Sequence, residues 1–107
     1  MIEFSITLTA RSREHHDERI VLKIDTHISN HLEPLCKTMG LNMHGRFSEH
    51  YKVDAYDYPP QQQASYHISG RVKNHNYLYC VVLLFEALAK LFSQLPEVET
   101  CYVEWSC

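Results

Sequence analysis

Arg19 to Met39, RIVLKIDTHISNHLEPLCKTM, is the stretch that decides the plan of this 107-residue chain, because two periods fit it. Ile20, Leu22 and Ile24 alternate as a half-buried strand does. Ile20, Ile24, Ile28, Leu32, Leu35 and Met39 also recur every three or four residues, as on one helical face. Ile20, Val21 and Ile24 are β-branched, and Pro34 lacks the N–H that one long helix needs. These features favour a strand over 19–25 and a helix over 29–39. Ser29 or Asn30 serves as N-cap, Glu33 forms an approximate capping box with Asn30, and Gly40 is a left-handed terminator.

Upstream, Ile2, Phe4, Ile6, Leu8 and Ala10 alternate with Glu3, Ser5, Thr7 and Thr9, the signature of a strand with one buried and one wet face. A strand over 19–25 makes a hairpin with it across the polar segment Arg11 to Glu18. Downstream, Phe47, Tyr51, Val53 and Ala55 form one alternating set, and Tyr66, Ile68, Gly70 and Val72 form another. Between them lies DYPPQQQ, so the two sets read as a second hairpin. For both sets to share a face, paired residue numbers must sum to an odd value; a sum of 121 places Asp54 opposite His67. Asn74 or Asn76 caps a helix running to about Leu95, whose apolar positions cover more than one face. Pro96 stops that helix, and Val98 to Trp105 is the last strand.

The expected fold is therefore a single α+β domain over residues 1–107. It is a two-layer sandwich in which one mixed or antiparallel sheet of four to five strands is covered on one face by two helices. The order β(β)αββαβ has the ferredoxin-like sandwich as its nearest common plan; a helical 19–25 reduces it to βαββαβ.

Composition narrows the function classes. With 45% apolar and 21% charged residues the chain is not of disordered type. Ten Lys and Arg against thirteen Asp and Glu give a net charge of −3, and no basic run exceeds two residues, so the footprint of a nucleic-acid or anionic-membrane binder is missing. Residues 54–107 hold three basic and six acidic side chains, which suits a partner with a basic surface. Gly45-Arg46-Phe47-Ser48 is only a faint echo of an RNA-binding strand motif. The N-terminus lacks the layout of a signal peptide, so a cytoplasmic location is expected. Glu86 and Lys90 interrupt the apolar run Tyr77 to Leu95 as a helical ion pair, which argues for a buried helix and against a membrane span. Cysteines 36, 80, 101 and 107 show no Cys-x-x-Cys spacing, so neither a disulfide framework nor a zinc site is expected.

Eight histidines stand out. They raise a pH-sensing or metal reading, with His27 and His31 four apart, yet His-Glu-x-x-His is absent and no acidic third ligand has diagnostic spacing. His50 and His67, with Asp54 beside His67, are candidate acid/base groups on the open sheet face. Ser65 and Ser69 are nucleophile candidates only by proximity, and three glycines supply no phosphate loop.

No catalytic residue, cofactor or metal is therefore assigned. Tyr56-Asp57-Tyr58-Pro59-Pro60 is the best recognition element, because tyrosines offer stiff contact area and the diproline limits conformational entropy. The leading expectation is a non-enzymatic protein-binding domain, most concretely an inhibitor or immunity-type protein that neutralises a toxin, nuclease or other effector. Its contact residues are Tyr56, Asp57, Tyr58 and Trp105. The alternatives are a homodimeric enzyme or ligand binder using His50, Asp54 and His67, and a histidine-based metal or pH sensor.

Overall fold

In residues 19–39 the helical period wins. A computed structural model describes residues 1–13, 18–50 and 61–107. It has β1 (Ile2–Ser12), α1 (Glu18–Met39), β2 (Asn42–His50), β3 (Gln61–Val72), α2 (His75–Phe92) and β4 (Val98–Ser106). The expected strand over 19–25 is corrected to the first turns of α1. As a helix, the segment buries Val21, Ile24, Ile28, Leu32 and Cys36 in one stripe and leaves Leu22 55% exposed. A strand would have turned Val21 away from Ile24. β-Branched residues give up only a few tenths of a kcal/mol each in a helix, whereas burying a large apolar side chain is worth about 1.5–3 kcal/mol. Burial decides.

The caps expected at Ser29 and Asn30 fall away with that correction, since both now lie mid-helix and the Ser29 hydroxyl donates to Asp25 Oδ1 at 2.8 Å. Pro34 is tolerated inside α1 because it and Asn30, whose carbonyl loses its helical partner, both stand exposed, where water can replace the missing bond. Gly40 does terminate the helix, at φ 70°. The amide of Leu41 donates to the Cys36 carbonyl at 2.8 Å and that of Gly40 to Lys37 at 3.3 Å, the paired bonds of a Schellman end. At α2, Asn74 is the N-cap, its side chain accepting from the Tyr77 amide at 3.1 Å. The helix proper closes at Phe92, short of the expected Leu95, and bonds from Gln94 to Leu91 and Leu95 to Phe92 tighten the chain ahead of Pro96.

The described strands form one antiparallel sheet in the order β2-β3-β1-β4, so the described sheet has four strands. Both helices pack on one face of it. Phe4, Ile6, Leu8, Ala10, Ala64, Tyr66 and Ile68 from the sheet join the α1 stripe and Leu78, Val82, Phe85 and Phe92 of α2 in a single buried cluster. The second hairpin pairs as anticipated in parity but not in value. Met43 lies opposite Ile68 and His44 opposite His67, so paired numbers sum to 111, and β2 begins at Asn42, before the alternating set that starts at Phe47.

Candidate functional site

Two surfaces are available for function, and the sheet topology fixes both. The first is the polar face of the sheet, made by the strand residues that point away from the helices. Across it, rows of side chains are laced strand to strand. Ser5 meets Ser106 at 3.1 Å, Thr7 meets His67 Nδ1 at 3.3 Å, and Thr9 meets Ser65 at 3.4 Å. Arg11 donates from Nη2 to the Tyr102 hydroxyl at 3.0 Å and from Nε to Gln63 Oε1 at 3.4 Å, with its guanidinium 5.3 Å from the centre of the Tyr102 ring. Such cross-strand pairs each add a fraction of a kcal/mol to the sheet, so most of this face is engaged in holding its own strands together.

His67 sits in the middle of the face, where its alternation placed it. The register puts His44 opposite it, which corrects the position expected for Asp54. Asp54 lies outside the described residues. His50 pairs through its backbone with Gln61 at the far end of β2, six residues from His44, and so is not beside His67. Ser65 is hydrogen-bonded to Thr9, not to a histidine. His44, Arg46, Ser48, Ser65, His67 and Thr7 border a concavity of about 620 Å³, and its described lining carries no carboxylate.

The second surface runs along α2 onto β4. Trp105 projects from edge strand β4 toward the helix layer, opposite Ile6 of β1, and remains 41% exposed. Tyr79 meets it edge-on with ring centroids 6.2 Å apart, and His75 lies 6.3 Å beyond Tyr79, so three rings form a ladder along the rim. Tyr77 and Tyr79 are exposed, as are Leu83, Leu84 and Leu91. Glu104 of β4, exposed, stands opposite Thr7 on the polar face of the sheet, the face away from Trp105, and Glu99 lies at the other end of the strand. Of the contact residues expected from the sequence, Trp105 takes its place here; Tyr56, Asp57 and Tyr58 lie outside the described residues. The sequence reading passed over Tyr79, Leu83 and Leu91, although their signal was present in apolar positions of α2 covering more than one face.

The remaining polar chemistry is structural. Tyr66, fully buried, donates its hydroxyl to Asp25 Oδ1 at 2.8 Å; burial, and then that carboxylate, push its ionisation well above the ordinary tyrosine range. Burial likewise raises the Cys36 thiol and pushes that of Cys101 up to about 12, which favours the protonated form of both at neutral pH. Glu97 is held below the usual carboxylate range chiefly by Lys23, whose ammonium donates to it at 2.7 Å. His27 and His31 do lie together on α1, ring centroids 4.9 Å apart, both meeting the edge of Phe92. No group of three or more His, Cys, Asp or Glu gathers at metal-binding distance among the described residues.

Comparison with protein-family models, with curated proteins and with solved structures found no match for this chain.

Proposed function

We propose that this chain is a protein-binding domain that presents a preformed surface, most concretely an inhibitor or immunity-type protein that neutralises a toxin, nuclease or other effector by direct binding. The observation that supports this reading is the ladder of His75, Tyr79 and Trp105 on the rim between α2 and β4. Tryptophan and tyrosine are the side chains most often found at the energetic centre of protein interfaces, and rings already held edge-on lose little freedom on binding. Residues 54–107 hold three basic and six acidic side chains, which favours a partner with a basic surface. The Tyr56-Asp57-Tyr58 segment joins the contact in this reading. We also read the order βαββαβ with strands arranged β2-β3-β1-β4 as the ferredoxin-like plan. The place of action is the cytoplasm, where four free cysteines stay reduced.

The test is affinity capture with the wild-type chain and with Tyr79→Ala/Trp105→Ala, whose fold is checked by circular dichroism. The reading expects one stoichiometric protein retained by the wild type and lost by the double variant, and inhibition of that protein's activity on mixing. Equal retention by both forms, or none by the wild type, removes it.

A second reading rests on the concavity beside His67. Among the described residues His44 and Arg46 engage no side-chain hydrogen bond or ion pair there, and a small anion would find two imidazoles, a guanidinium and hydroxyls. Calorimetric titration with inorganic phosphate separates it from the first: heat that disappears in Arg46→Ala favours it, and no heat in the wild type ends it.

A further inference from the structure

We propose that the outer face of α2 is a self-association surface on which a second copy of this chain seats its own α2, antiparallel and related by a two-fold axis level with Ala87 and Leu88. This goes beyond the partner-binding reading: Leu83 lies one turn on from Tyr79 on the same side of α2, but the contact is centred further along the helix, away from the end where Tyr79 meets Trp105. Opposite the buried side of α2, Cys80, Leu83, Leu84, Ala87 and Leu91 recur at spacings of three and four and all stand exposed, Leu83 at 63% and Leu91 at 66%. A contiguous apolar stripe of this kind marks an interaction site in a folded domain.

Charge identifies the occupant. Glu86 and Lys90 share one flank of the stripe, and among the described residues neither forms an ion pair, so the helical pair expected from their spacing is not made. In a two-fold antiparallel pair the same flanks meet in opposite directions. Glu86 of each copy then comes level with Lys90 of the other, giving two reciprocal ion pairs from one short sequence, the self-complementarity that an isologous interface requires. Ala87, the smallest side chain of the stripe, lies at the crossing point and lets the helices approach. A membrane is a poorer match. By length and composition α2 is apolar enough to cross one, but six of its residues are committed to the core, and its outer flank carries one cation beside one anion, not a basic rim.

Sedimentation velocity of the full chain across concentration tests this. The wild type is expected to show a reversible monomer–dimer equilibrium, and Leu84→Glu/Leu91→Glu a monomer with an unchanged circular dichroism spectrum. Should that variant unfold, the charge variants decide. Glu86→Lys alone and Lys90→Glu alone each place like charges together and are expected to dimerise at least five-fold more weakly. An equimolar mixture of the two restores both ion pairs and is expected to form heterodimers at wild-type strength. In the Cys80→Ser background, Ala87→Cys is expected to cross-link to its own copy under mild oxidation. A wild type that stays monomeric at all concentrations overturns the proposal. So does dimerisation indifferent to residues 86 and 90, or an α2 stripe protected only by lipid vesicles or by another protein. The partner-binding reading is judged separately, by capture with Tyr79→Ala/Trp105→Ala, which leaves Leu84, Glu86, Lys90 and Leu91 in place.

Discussion

At Ile28 and Leu32, both fully buried on α1, the choice between strand and helix becomes an energy that can be measured. Truncating either to Ala removes apolar contacts and leaves a void, so Ile28→Ala and Leu32→Ala are expected to cost about 2–5 kcal/mol each in urea unfolding. Leu22→Ala, on the exposed side, should cost well under 1 kcal/mol; were residues 19–25 a strand with Leu22 facing in, the costs at 22 and 21 would exchange. Tyr66→Phe tests the buried hydroxyl: it removes one charge-assisted bond to Asp25, which keeps Ser29, and should cost about 1–2 kcal/mol. The thiols give a kinetic check at the same scale. Burial holds Cys36 and Cys101 protonated, so maleimide at pH 7.5 should label exposed Cys107 quickly and these two only on the timescale of opening. Rapid labelling of Cys101 would contradict its place on the core-facing side of β4, opposite Ala10.

Among the elements, β1, α2 and β4 were legible because each carries one dominant signal: alternation from Ile2 to Ala10, an Asn cap with a dense apolar run, and a Pro-bounded final strand. α1 was not, because its first turns satisfy both periods and the deciding quantity, which residues find a core to enter, is a property of the whole sheet. Gly40 was legible because a positive φ is a local demand that few residues meet. The hairpin's parity was legible from alternation, but its value was not. Alternation repeats every two residues and cannot distinguish a sum of 111 from one of 121, so His44 and not Asp54 came to face His67. Pro34 supplies the prediction at this scale. Pro34→Ala restores the bond to the Asn30 carbonyl and should raise stability by about 1–3 kcal/mol, seen as a higher melting temperature. A lower one would mean that the ring itself is packed.

Across the whole molecule, the amide of Arg13 on the carbonyl of Glu97, and its guanidinium on that of Pro96, tie the end of β1 to the α2–β4 connection at 3.1 and 2.8 Å. Lys23 of α1 reaches the same connection through Glu97. Because the carboxyl of Glu97 is depressed, its contribution is complete above the ordinary carboxylate value and is lost as pH falls through the lowered one. The pair is largely solvent-exposed on the lysine side, so Lys23→Ala should cost no more than about 1 kcal/mol at pH 7, a difference that disappears once pH falls below that lowered value. These ties fix the start of β4, the strand whose far end carries Trp105 beside Tyr79, and the account's central claim is that the rim at that far end is a preformed contact surface. Trp105 is the sole tryptophan, so its fluorescence reports on that rim alone. On titration with the protein that the wild-type chain captures, the account predicts that its emission shifts to the blue and saturates at one equivalent; an unchanged spectrum at saturation would contradict it.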